Sequence, residues 1–332
     1  MDKMKEPIQL SPQSEIFIAV CKYYGHSYVT LGVKTGDKTE VLAAVGKLGK
    51  QDSATLCGLI CNGVDAIVQN ESFMFGPHTQ RTVAYKAYML SYQQYLEFLH
   101  YLKLLSLSQK SLSDSSTHSL KAYCPTPERK ELLTWQSLDT YDSKEPTGTY
   151  VDLYEYSKLS LSNTCRHSAI RMVQQASKCA ELSSSISSFF FTDLPSNADF
   201  LKGQVAKSTP YFYILPLPPS SFRDMPWQKQ SILETLYQRL DDMCLSEQMN
   251  PVTFQKFSKL KALYLQLTSK EKASVFDVLE GIETWEKENK ALISTHRKDH
   301  WISFQTATEK MFAYFHQEFK HLRDDLQHNN AL

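Results

Sequence analysis

The hydrophobic period of this chain changes once along its length. In the first 90 residues apolar side chains alternate or run unbroken, as strands require, and from about residue 224 onward they recur at three and four, as helices require. That order dictates a sheet-bearing unit followed by a helical one. Pro216, Pro218 and Pro219 mark the boundary, which gives expected domains over residues 12–222 and 223–330. With 332 residues, each unit is long enough to bury a core of its own.

In the front part, Ile16 to Val20 is a continuous apolar run, the mark of a strand covered on both faces, and Tyr24-Gly25 ends it. The next segment alternates, with Val29, Leu31 and Val33 on one face and His26, Tyr28, Thr30 and Gly32 on the other. Residues 34–38 turn, and Thr39 to Val45 returns as the partner strand of a hairpin. Residues 52–69 read as a helix of small side chains and 82–90 as another strand. Ser91-x-x-Gln94 is a capping box, with Tyr95, Phe98, Leu99, Leu102 and Leu105 following at helical spacing. Residues 106–119 read as a Ser-rich loop, Thr126-Pro127 as a helix start, and 210–216 as a short strand closed by proline.

The rear part gives four helices. One carries Ile232, Leu236, Leu240 and Met243, and a second, behind Asn250-Pro251, carries Phe257, Leu260, Tyr264 and Leu267. A third carries Val275, Leu279 and Ile282 behind a Thr268-x-x-Glu271 capping box, and the last carries Trp301, Phe304, Met311 and Phe315.

Composition removes several function classes. Thirty-six basic residues balance thirty-six acidic ones, so the footprint of a nucleic-acid binder is missing. Eleven glycines supply no G-x-G-x-x-G and no phosphate-cradling loop. No stretch reaches the length of a membrane span, and the first residues lack the apolar run of a cleavable signal, so a soluble protein is expected. The seven cysteines are odd in number and scattered, which fits a reducing compartment. Cys57 and Cys61 stand one helical turn apart, but no second pair completes a zinc set, and neither metal nor cofactor is expected.

One cysteine differs from the rest. Cys165 follows Ser162, Asn163 and Thr164, a cluster of N-cap residues, and so falls in the first turn of a helix whose apolar stripe is Cys165, Ala169, Met172, Val173 and Ala176. Unpaired backbone N–H groups at a helix start favour a thiolate and can also hold an oxyanion. The base it would need is His26, on the face of an early strand turned away from the aliphatic side chains. Glu40, on the return strand, is the nearest carboxylate to orient that histidine by hairpin geometry, and a solvated hairpin charge is its alternative description. His78 is a weaker choice for the same role, and His167 faces away from Cys165. A lone cysteine on an apolar stripe is more often a small core residue, and a histidine in a strand more often a surface or satisfied core group.

The order of Gly25-His26 strand, return strand, long insertion and Asn163-Thr164-Cys165-Arg166-His167 at a helix start resembles the circularly permuted papain-like hydrolases, among them the PPPDE, lecithin:retinol acyltransferase and NlpC-like groups. The resemblance spans about residues 15–215 and departs from the Asn-Cys-x-His-Phe box by the inserted Thr164 and the missing Phe. It implies an α+β papain-like domain with a small antiparallel sheet, a Cys165 nucleophile, a His26 base and Asn163 as an oxyanion or orienting group. The whole organisation is also similar to the effectors that intracellular bacteria inject through Dot/Icm-type type IV secretion, which implies delivery to a host cytoplasm without a cleavable signal and a host protein as substrate or partner.

The expected protein is therefore a papain-like α+β domain followed by an all-α bundle, acting as a thiol hydrolase or acyl transferase on an amide or ester. The competing expectation is a non-enzymatic protein whose aromatic-rich helical bundle binds a host partner.

Overall fold

The computed structural model describes residues 5–50, 63–76, 80–111, 119–143, 151–183, 185–189, 191–222, 225–245, 249–269, 274–296 and 305–329. The chain divides into two compact units, Met1–Leu217 and Pro218–Leu332.

The first unit contains β1 (Ile8–Gln9), β2 (Glu15–Tyr23), β3 (His26–Thr35), β4 (Lys38–Gly49), β5 (Val64–Asn70), a 3-10 turn (Ser72–Phe75), β6 (Arg81–Met89) and α1 (Tyr92–Ser111). It continues with β7 (Lys121–Pro125), β8 (Leu132–Ser137), α2 (Leu153–Ser157), β9 (Lys158–Leu159), α3 (Cys165–Ser177), β10 (Ser196–Leu201) and β11 (Gln204–Val205). The main sheet has the order β11-β10-β6-β2-β3-β4-β5-β9, and β11 also pairs with β4. That last pairing closes six strands into a barrel, with β5 and β9 continuing outward from β4. A separate three-stranded sheet has the order β1-β8-β7.

Closure depends on a tight turn. Lys202 (φ 55) and Gly203 (φ 76) both lie in the left-handed region, the conformation of a two-residue hairpin turn that matches strand twist. It brings Gln204 opposite Glu40, and the Val41 N–H donates to the Gly203 carbonyl at 2.7 Å. A barrel sealed this way is not the open sheet of a papain-like domain, so the expected fold class is overturned. The unread element was β10–β11, a non-local pairing that no local period announces.

The alternation in β2 and β3 sorts inside from outside. Phe17, Ala19, Cys21 and Tyr28 join Tyr85, Phe200 and Phe212 in the barrel interior, where the Tyr85 and Phe212 rings stack with centroids 4.3 Å apart. Ile16, Ile18, Val20, Val29 and Leu31, buried too, point out of the barrel, and α3 packs against β2, β3 and β4. The face of His26 and Tyr28, read as the less apolar one, is the face that turns inward.

Several local expectations change. Residues 64–69 lie in β5 and are not helical; Cys57, Cys61 and His78 lie outside the described residues. Helix α1 runs on to Ser111, through the first part of the expected Ser-rich loop. Its capping box at Ser91 and Gln94 forms as read, with hydrogen bonds of 2.8 and 3.1 Å. Thr126-Pro127 begins no helix, because Thr126 ties the β7–β8 turn through Arg129. Residues 210–216 make only one bridge, Tyr88 to Leu215, while Phe212 and Ile214 fill the barrel.

The second unit is helical, with α4 (Trp227–Leu245), α5 (Pro251–Ser269), α6 (Val275–Glu288), α7 (Lys290–Ser294) and α8 (Ala307–Asn329). Leu236, Leu240, Leu260, Tyr264, Leu279, Ile282 and Phe315 are buried as their spacing requires. Thr268 falls inside α5, so the cap of α6 is not Thr268-x-x-Glu271 but Ser274 with Asp277. Trp301 and Phe304 lie outside the described residues. Among the described residues no helix is long and apolar enough to cross a membrane.

Candidate functional site

Thr164 is the N-cap of α3. Its hydroxyl accepts from the His167 N–H, and the His167 side chain reaches back to the Thr164 backbone, so Cys165 occupies the first helical position. That cap spends the His167 ring on helix initiation and leaves the N–H groups of Cys165 and Arg166 as the first-turn donors without an intrahelical partner.

His26 begins β3, directly beneath this helix start. The Ser27 N–H donates to Cys165 Sγ at 3.3 Å, and the His26 ring lies beside the same thiol, both lining one cleft. On its other side the imidazole donates from Nε2 to Glu71 Oε1 at 2.7 Å, which leaves Nδ1 as the nitrogen for the thiol proton. Glu71 stands between the end of β5 and the 3-10 turn, where its N–H donates to the Ala44 carbonyl and its own carbonyl accepts from Met74. Its side chain is only 5% exposed, so the His26 pair is a desolvated, charge-assisted one. Gly46 makes room for the pair, since a Cβ there would lie 2.1 Å from Glu71 Oε1 and 2.8 Å from His26 Nε2.

The electrostatics follow from these contacts. Burial opposes a charged His26, but the hydrogen bonds to Cys165 and Glu71 and the charge of Glu71 outweigh it and raise the imidazole to about 9. Burial likewise opposes a Cys165 thiolate. The hydrogen bonds from His26 and Ser27 and the charges of His26 and Lys47 prevail and pull the thiol below its ordinary value. Both shifts run toward the charged pair, thiolate with imidazolium. Cys21, inside the barrel, is pushed by burial up to about 12, and burial also raises Cys124.

Lys47 carries no local signal of a role at the site. It is buried under the helix start, and its Nζ donates to the carbonyls of Glu155, Lys158 and Asn163 at 2.9–3.0 Å and to Asn163 Oδ1 at 2.5 Å. Burial lowers it to about 8, against the charges of Glu155 and Cys165. It ties α2, β9 and the N-cap loop to β4.

The expected site residues thus divide. Cys165 and His26 meet. Asn163 spends its amide on Lys47 and on the Glu155 carbonyl, bracing the loop before Cys165. Glu40 does not reach His26: it pairs with Lys38 at 2.7 Å at the barrel seam and stands opposite Val33, seven positions and about 23 Å along β3 from His26. The carboxylate on His26 is Glu71.

Cys165 and His26 lie at the floor of a cleft of about 820 Å³, within the usual range for small-molecule sites. Leu48, Leu159, Leu161, Phe189 and Phe191 supply its apolar lining. Among the described residues no group of three or more His, Cys, Asp and Glu side chains is placed to hold a metal ion.

Comparison with protein-family models, with curated proteins and with solved structures finds no match to this chain. The resemblances to permuted papain-like hydrolases and to Dot/Icm effectors accordingly find no support in sequence or fold, and the barrel contradicts the first of them.

Proposed function

We propose that the first unit is a thiol-dependent acyl transferase or hydrolase acting on an amide or ester. The observation that carries this reading is the alignment of Glu71, His26 and Cys165, the first two joined by a 2.7 Å hydrogen bond and the last two lining an open cleft. The Cys165 thiolate attacks the substrate carbonyl, forming a carbon–sulfur bond as the carbonyl electron pair moves to oxygen. The N–H groups of Cys165 and Arg166 stabilise that oxyanion. The His26 imidazolium gives its proton to the departing amine or alcohol, leaving a thioester on Cys165. Water or an amine then attacks the thioester while neutral His26 accepts its proton, and the thiolate leaves. Glu71 keeps the ring oriented and stabilises its charged form throughout.

Alkylation with iodoacetamide at neutral pH, read at each cysteine by mass spectrometry, tests this. Cys165 should label ahead of Cys21, Cys124, Cys179 and Cys244, which are buried as it is, be slowed about tenfold or more by His26→Ala and by Glu71→Gln, and be indifferent to Glu40→Gln. Labelling of Cys165 no faster than the others, or unaffected by His26→Ala, would sink the proposal.

A further inference from the structure

Most of the polar side chains that line the cleft already hydrogen-bond within the fold, Ser188 being the exception. Lys47 has four carbonyl-type acceptors, Thr164 and His167 bond each other, and Ser160 Oγ accepts from the Asn163 N–H and contacts Ser162 Oγ. An extended peptide, which brings a donor and an acceptor with every residue, finds few partners there. What the walls offer instead is apolar surface, and it continues onto the outside of the molecule: Leu161, Phe189 and Phe191 are 68%, 65% and 75% exposed. Grouped large apolar side chains in water at the mouth of a cleft mark a ligand surface.

This rim is held in place. Arg166, fully buried one residue after the thiol, donates to the carbonyls of Ser187 and Thr192 at 3.1 and 3.2 Å, and Lys22 donates to the Phe191 carbonyl at 3.1 Å and pairs with Asp193 at 2.6 Å. The rings of Phe189 and Phe191 meet edge to face with centroids 5.7 Å apart. Four polar struts thus fix two aromatic side chains over the cleft, an arrangement with no bearing on burying the core.

We infer that the cleft is the subsite for an aliphatic acyl chain, so that the group transferred to Cys165 is a fatty acyl group of medium length or longer. This rests on the thiol-nucleophile reading above and adds the substrate class to it.

The test uses the full chain, p-nitrophenyl acetate, butyrate and octanoate at submicellar concentration, and intact-mass detection of the acyl group on Cys165, with free cysteine as the reference for intrinsic ester reactivity. Relative to that reference, octanoate should acylate at least tenfold faster than acetate, each buried methylene contributing about 0.8 kcal/mol. Leu161→Ser and Phe189→Ser should each shrink that preference. Rapid iodoacetamide labelling of Cys165 with equal acylation by acetate and octanoate overturns the acyl-chain assignment and leaves the nucleophile standing. Faster acylation by the p-nitrophenyl ester of an N-acylated aromatic amino acid than by octanoate overturns it in favour of a peptide subsite. A Cys165 that neither labels rapidly nor acylates removes both readings together.

Discussion

Replacing Gly46 by alanine perturbs the site with a single methyl group in place of a hydrogen. The backbone at Gly46 lies outside the left-handed region, so alanine meets no torsional penalty and the effect is steric. Its methyl carbon would stand 2.1 Å from Glu71 Oε1, 2.8 Å from His26 Nε2 and 2.9 Å from Tyr28 Cβ, and each contact is too short to persist. Relief by displacement costs about 1–3 kcal/mol, as overpacked interiors do, and for a unit of this size corresponds to a melting temperature roughly 2–12 °C lower. The movable atoms are those of the His26–Glu71 pair. Losing a hydrogen bond between charged groups, worth about 1.5–3 kcal/mol, lowers the imidazole by about one to two units from its value of about 9. At neutral pH such an imidazole is only partly protonated and its ring is displaced, so the thiolate is less well stabilised and alkylation of Cys165 should slow severalfold. Gly36→Ala is the control: Gly36 has φ 60 with nothing within 4 Å, so alanine there costs about 1 kcal/mol through backbone strain and should leave Cys165 labelling unchanged. A Gly46→Ala protein that melts lower yet labels Cys165 at the parent rate would refute the coupling of the pair to the thiol.

Two further outcomes follow from the same contacts. The folded-state value of His26 is raised, so its contribution to stability is complete below about 6.5 and is lost as pH rises through about 9, while the lowered Cys165 contributes above its ordinary value and loses that contribution as pH falls through the depressed one. Urea titrations across pH should therefore show the difference in stability between the parent and His26→Ala shrinking above pH 9, and a constant difference would contradict the assignment. Lys47→Met strands the carbonyls of Glu155, Lys158 and Asn163, at about 1–3 kcal/mol for each acceptor that water does not reach, and should slow Cys165 labelling through loss of a nearby positive charge. Unchanged denaturation and labelling would deny Lys47 its bracing role.

The nucleophile and its histidine could be read because each announces itself locally. Cys165 follows a run of capping residues, and His26 breaks an otherwise hydrophobic strand next to Gly25. Glu71 could not be reached the same way, because it depends on knowing that residues 64–70 form a strand. Val64, Ala66 and Val68 do alternate with Asp65, Ile67 and Gln69, and their burial follows that alternation, but reading residues 52–69 as one small-residue helix, despite the cost of Gly58 and Gly63 in a helix, hides it. Glu40 was chosen because a hairpin makes neighbours of residues close to the turn, whereas His26 lies at the far end of the same hairpin. Barrel closure was hidden for a different reason: β11 has two residues, and its partner β4 lies more than 150 positions earlier. The apolar stripes of α4, α5 and α6 are legible from their own period, while the cap of α6 is not where the sequence places it.

Strand β4 serves two ends of the molecule. Near Glu40 it seals the barrel against Gln204, and near Gly46 and Lys47 it floors the cleft, paired with β3 as far as Val45 and with β5 as far as Gly49. Its pairing on both sides holds as far as Val45, and β5 alone continues it beneath the cleft to Gly49, so the strand that seals the barrel also carries the residues under Cys165. The apolar mouth formed by Leu161, Phe189 and Phe191 belongs to other segments. Natural variation in those segments can change what enters while the reacting groups keep their places, so selectivity and reactivity in this protein are free to evolve separately.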